Sequence, residues 1–197
     1  MKTSLFVITL AILLSSCRDQ QGSSENDPST FAYKLYEMEK MGWKSQKSVH
    51  SIQGTSYRAI QVPLQYYLLK NAPNLSPDSL SSIYEAYQNE RIIEVEFESA
   101  RKDDLLKANY TRMDYEEGVK YLAFTIQEDF YAVTSAGDTV NCSGVIFERN
   151  YQLAPFKRLL LHFGGIPEGE RIQLVYQDRL FGNGILKFQF DELPIIL

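Results

Sequence analysis

The sequence predicts an α+β protein: short helices in the N-terminal half, followed by an antiparallel, immunoglobulin-like β-sandwich. Three observations carry that expectation. Apolar residues recur at helical spacing as far as about residue 90, the period switches to two from Arg91, and turn residues then punctuate the chain at short intervals. Helices first and strands later give α+β rather than alternating α/β. At 197 residues the chain suits one domain with an appended piece, and residues 31–197 are assigned to it, 31–90 mostly helical and 91–197 mostly β.

Each helix has its own signal. Phe31, Leu35 and Met38 lie at i, i+4 and i+7, with Gly42 as a stop. Val62-Pro63-Leu64 starts a second candidate, with Pro63 at the first helical position and Leu64, Tyr67 and Leu68 on one face. A strand reading competes there, so Tyr57–Leu69 fits either. The third helix is the clearest: Ser76 caps it, Pro77 opens it, Asp78 sits in its first turn, and Leu80, Ile83, Tyr84 and Tyr87 share a face. Asp114 and Glu117 have capping-box spacing for one more turn.

The strands follow. Ile93, Val95 and Phe97 alternate with Glu94, Glu96 and Glu98, which reads as a half-buried strand with one acidic, wet face. Val119–Ile126 fits helix or strand; as a strand it puts Leu122, Phe124 and Ile126 on one side. Phe130–Thr134 and Cys142–Glu148 flank a turn at Ser135-Ala136-Gly137-Asp138. Leu159/Leu161/Phe163, Ile172/Leu174/Tyr176 and Leu186/Phe188/Phe190 alternate in three further strands separated by glycine-containing turns. The Cys…Trp…Cys pattern of true immunoglobulin domains is missing, since Trp43 lies far upstream, so the expectation concerns architecture only.

Composition excludes several classes. An apolar fraction of 44% is that of a globular chain, not a disordered one. A net charge of −5 argues against nucleic acid as a partner. Two cysteines and two histidines are too few for a disulfide scaffold or a cysteine zinc site. No motif requires a cofactor.

The N-terminus carries an address. Lys2 is a short positive segment, and LFVITLAILL is an apolar run of ten residues. A membrane span needs about 20 such residues, so the run fits a signal peptide instead. Leu14-Ser15-Ser16-Cys17 then resembles the lipobox of bacterial lipoproteins. The resemblance covers residues 1–17. It implies cleavage after residue 16, acylation of the Cys17 thiol and acylation of the new amino terminus, and two or three chains anchor a protein stably where one does not. Loss of Lys2 would take the net charge from −5 to −6. In that family Asp directly after the lipidated cysteine retains a protein at the inner membrane; here that place holds Arg18, so the resemblance implies the outer membrane, periplasmic or surface-facing. Residues 17–30 form the lipidated cysteine and a polar tether. Arg18–Thr30 has no large apolar residue, and a coil of that length spans about 20 Å.

Catalytic signals are sparse. A serine or cysteine nucleophile needs a base within hydrogen-bond reach, and the only histidines are His50, in a polar stretch read as a loop, and His162. Alternation points His162 away from the face that Leu161 and Phe163 share. No G-x-S-x-G elbow or phosphate-binding glycine loop occurs. Cys142 reads as a small packed strand residue, with an intermolecular disulfide as the second reading. Carboxylate pairs recur at Glu94/Glu96/Glu98, Asp103/Asp104, Glu116/Glu117, Glu128/Asp129 and Glu168/Glu170, by default on element surfaces. Asp138 and Asn141 are the nearest thing to calcium ligands and lack EF-hand spacing. Asp78-Ser79-Leu80 and Asp138-Thr139-Val140 resemble the acceptor for O-glycosylation of envelope proteins in one group of Gram-negative bacteria, which implies Ser79 and Thr139 as acceptors. The 13 tyrosines suit protein interfaces and sugar stacking as well as strands.

The expectation is therefore a cell-envelope lipoprotein with a non-catalytic binding or accessory role in an envelope assembly. It meets the membrane through its lipid anchor and a protein partner through an exposed apolar or tyrosine-rich patch. An immunity or inhibitor lipoprotein is one alternative. An envelope enzyme acting on glycan or peptide, with converging carboxylates or His162 in a pocket, is the other.

Overall fold

The computed structural model describes residues 46–72, 75–107, 109–149, 154–167 and 169–190. The expected signal segment and tether, Cys17 and the helix expected over Phe31–Gly42 lie outside the described residues. Within them nine strands form two antiparallel sheets. One has five strands in the order β1-β2-β3-β7-β6, the other four in the order β5-β4-β8-β9.

The first sheet begins with β1 (Lys47–Ile52) and β2 (Thr55–Val62), joined by Gln53-Gly54, both with positive φ (48° and 81°). That is the backbone of a tight two-residue hairpin, and glycine takes the second position without strain. These strands stand beside two helices in the described part of the N-terminal half, and His50 lies in β1 rather than in the loop expected for it. Pro63 then breaks the strand. It caps α1 (Leu64–Asn71), so the helix starts one residue later than expected. α2 (Pro77–Tyr87) starts where the sequence predicts: Ser76 caps it and accepts the Ser79 N–H.

β3 (Arg91–Ser99) pairs on one side with β2 and on the other with β7 (Phe156–Phe163), which pairs with β6 (Gly144–Glu148). The register aligns Tyr57 with Phe97, Ala59 with Val95, and Val95 with Leu159. Side chains alternate across a strand, so these form the inner face. The opposing sheet holds β4 (Phe130–Thr134), β5 (Thr139–Asn141), β8 (Ile172–Asp178) and β9 (Gly184–Gln189). Phe130, Ala132, Leu174, Tyr176, Leu186 and Phe188 point inward from it and are buried in the same cluster as the first sheet's row.

Aromatic stacking marks the centre of that cluster. Tyr176 stacks on Phe130 at 4.3 Å between ring centroids and on Phe97 at 5.6 Å. Such contacts add about 0.5–1.5 kcal/mol each beyond area burial. The chain changes sheet at Cys142-Ser143. The expected strand Cys142–Glu148 is therefore only β6, which belongs to the other sheet, and the hairpin partner of β4 is β5. Cys142 is half-buried between the two strands and donates its S–H to the Gly144 carbonyl at 3.1 Å; burial pushes its thiol pKa up.

α3 (Tyr115–Lys120) carries the capping box its sequence announces: Asp114 and Glu117 exchange hydrogen bonds at 2.8 and 3.2 Å. The helix then widens into a π-helical turn, Tyr121–Thr125, and tightens into a 3-10 turn, Ile126–Asp129. The strand alternative for this segment is thereby corrected. Helical spacing buries Leu122 and Ile126 together and sends Phe124 outward.

Candidate functional site

The outer face of the five-stranded sheet carries charge in register. Arg58 on β2 lies opposite Glu96 on β3, Glu96 opposite Arg158 on β7, and Arg158 opposite Glu148 on β6. Signs alternate across four strands, and directly opposite charges attract. Arg58 Nη2 meets Glu96 at 2.7 Å, and Arg158 meets Glu96 at 3.1 Å, Glu148 at 3.2 Å and Glu94 at 3.3 Å. Glu96 is buried and Glu94 half-buried. The acidic face of β3 is therefore not the wet surface expected from its alternation. Burial holds the Glu94 carboxyl above the ordinary glutamate range, and Arg158 pulls it back down. The surrounding carboxylates raise the Arg158 guanidinium despite its own desolvation.

α1 covers part of this face. The turn at Pro63 folds the helix back over the strand it follows and leaves a groove of about 310 Å³ between them. Tyr66, Tyr67 and Lys70 line the helix side; Ile60, Glu94 and Arg158 line the sheet side. The Lys70 ammonium lies 5.8 Å from the Tyr66 ring centroid. His162, two positions beyond Leu160 and so on the same outer face, points away from the core as alternation requires. Its Nδ1–H donates to Glu90 at 2.6 Å, and Tyr67 packs edge-on to its ring at 5.8 Å. Among the described residues no serine or thiol is hydrogen-bonded to the ring, whose Nε2 is buried without a partner.

A second surface centres on Phe124. Phe124 is 68% exposed beside a shallow apolar hollow formed with Met113, Tyr121 and Thr125 and rimmed by Glu117 and Lys120. Sequence reasoning missed it because a strand period would have buried Phe124 with Leu122 and Ile126.

The remaining expected residues are dispersed. Ser79 and Thr139 are both exposed, Ser79 in the first turn of α2 with its hydroxyl 2.8 Å from that of Ser76, Thr139 at the start of β5. His50 donates from Nε2 to the Lys187 carbonyl at 2.8 Å. Glu116 and Glu117 open α3. Asp104 is paired with Lys157 at 2.9 Å and Asp129 with Arg179 at 2.8 Å. Among the described residues no three of His, Cys, Asp and Glu gather as a metal site. No helix among them is long and apolar enough to cross a membrane.

Comparison with known proteins adds little. No family model matches the chain, and no curated protein does. One solved structure, a novel protein of unknown function from Burkholderia pseudomallei K96243, is similar at 10% identity and a TM-score of 0.32, over 83% of this chain and 84% of that one. A likeness that distant carries neither fold nor function.

Proposed function

We propose that the chain is a cell-envelope lipoprotein, anchored to the outer membrane through Cys17, that binds a protein partner rather than catalysing a reaction. Phe124 is the observation that carries the binding role. A large apolar ring this exposed is costly to leave in water, and it stands on a π-helical turn, a form concentrated at functional sites. The rim carries one charge of each sign, Glu117 and Lys120. A protein that offers an apolar side chain to the hollow and a polar contact to each of these two charges fits it. Two or more acyl chains and a short tether would confine the two partners to one surface and raise their effective concentration.

The catalytic alternatives lose support at the groove. Glu94 and Glu148, the carboxylates that meet there, are both held by Arg158, which leaves no free acid–base pair. Ser79 and Thr139 stay as proposed O-glycan acceptors on exposed positions; a mature mass equal to the lipidated polypeptide alone would remove that part.

The sandwich is read as immunoglobulin-like. If β2 to β9 are named A, B, C, C′, D, E, F and G, the two sheets run A-B-E-D and C′-C-F-G, the strand order of that architecture. Phe97, Phe130 and Tyr176 then stack on strands B, C and F, the strands that hold the disulfide and tryptophan of antibody domains. β1 is an addition, and α1 and α2 occupy the A–B connection.

The test uses the native lipoprotein, cross-linked in its own envelope. Phe124→Glu should abolish a stoichiometric protein partner while the chain stays membrane-bound. Cys17→Ala should release it from the membrane or leave the precursor uncleaved. Retention of the partner by the first variant, or of anchoring and processing by the second, would overturn the corresponding half.

A further inference from the structure

We infer that the groove between α1 and the outer face of the five-stranded sheet is a binding site for a neutral, polyhydroxylated ligand, a short oligosaccharide. This site is separate from the Phe124 surface and does not depend on the docking role.

Charge balance selects the ligand. Glu94, Glu96 and Glu148 are matched by Arg58, Arg158 and Lys70: Arg158 bonds all three carboxylates, Arg58 takes the far side of Glu96, and Lys70 lies close enough to act on Glu94. Lys70 is the one groove cation that an anionic ligand could meet without breaking an ion pair; a second contact would have to take Arg158 from its three partners. A cationic ligand would add a positive charge to a groove whose three carboxylates are already matched. Breaking one of these pairs leaves a partly buried charge uncompensated, which is expensive. A neutral ligand disturbs none of these pairs.

The groove nonetheless offers many hydrogen-bonding positions. Each carboxylate has lone pairs beyond those that face the guanidinium, Lys70 brings donors, and Asn71 spends its amide nitrogen on the Tyr67 carbonyl at 2.8 Å, which leaves its amide oxygen as acceptor. Fixed donors and acceptors beside Tyr66, Tyr67 and the aliphatic strip of Ile60, Val62 and Leu160 match a pyranose, which has hydroxyls on its edge and C–H groups on its faces. A volume of about 310 Å³ is at the small end of ligand pockets and has room for about one or two rings.

The experiment is calorimetric titration of the full-length protein, purified in a detergent without a sugar headgroup. The probes are chitotriose, maltotriose, a trimer of galacturonic acid and the dipeptide Ala-Ala. A neutral trisaccharide is expected to bind with a dissociation constant of about 1 mM or tighter, and both charged probes are expected to fail. Tyr67→Ala and Glu148→Gln should each weaken binding about tenfold or more. Glu148 is exposed, so its variant keeps the fold, which circular dichroism verifies. Phe124→Glu should leave saccharide affinity unchanged, so this site and the docking surface stand or fall apart. Absence of heat with both neutral trisaccharides, preference for the uronate or the dipeptide, or unchanged affinity in both groove variants would overturn the assignment.

Discussion

The Tyr57 hydroxyl donates to the Asp178 carboxylate at 2.6 Å, joining β2 of one sheet to the end of β8 in the other across 121 positions of sequence. Asp178 also accepts the backbone N–H groups of Phe181 at 2.9 Å and Asn183 at 3.1 Å and the Tyr176 hydroxyl at 3.2 Å. One buried carboxylate thus ties both sheets to the turn before β9. Gly182 and Gly184 supply that turn's positive φ values (78° and 83°). Burial, together with Asp178, pushes the Tyr57 phenol far above its ordinary value, so it remains a donor at any physiological pH.

Removing the donor is therefore milder than removing the acceptor. Tyr57→Phe removes the bond to Asp178 and the one that the phenol oxygen accepts from the Asn183 side-chain amide, and should cost about 1–3 kcal/mol. Asp178→Ala strips four donors of their partner at once and should cost more. Urea denaturation of the two variants checks the order, and equal losses would contradict the central role of the carboxylate.

Lys157 and Asp104 form a buried ion pair, with side chains 4% and 9% exposed and 2.9 Å apart. It pins the loop after β3 beneath β7. Lys157→Met should destabilise by about 3–5 kcal/mol, because Asp104 is left charged and buried. Adding Asp104→Leu should recover most of that loss. A double-mutant cycle by thermal denaturation measures it, and a double variant no better than the single one would contradict the pairing.

Glu94 gives a pH dependence with a definite sign. Its carboxyl is raised, first by burial, so the folded chain holds that proton more readily than the unfolded chain. Stability then falls as pH rises through the interval between the ordinary glutamate value and the raised folded one. Glu94→Gln abolishes that contribution. The variant should gain on the wild type across that interval and converge with it below, where the native carboxyl is protonated too. Urea midpoints from about pH 4 to about pH 7 check this, and a difference independent of pH would contradict it.

Strands buried on one face were readable from sequence. Ile93, Val95 and Phe97, then Leu159, Leu161 and Phe163, alternate because one sheet face meets the core. Ser76-Pro77 and Asp114…Glu117 mark helix starts because their hydrogen bonds are local. β1 was not readable: KSVHSI is an edge strand with little to bury, held by β2 and by the His50 bond to Lys187. The groove was hidden for a different reason. Glu94 and Glu96 are visible as alternating acids, but Arg58, Arg158 and Glu148 reach them only through strand register, which no local pattern encodes. Phe124 was hidden because YLAFTI satisfies both periods, and only tertiary packing selects the one that exposes it.

The measurement that bears most directly on the central claim is site-specific photo-cross-linking of the full-length protein in its native cells, the proposed lipoprotein in its proposed envelope setting. A photoreactive residue would replace Phe124 in one sample and Ile185, itself 65% exposed, in another. The account predicts one discrete protein adduct from position 124 that position 185 does not give. No adduct at 124, or the same products from both positions, would contradict it.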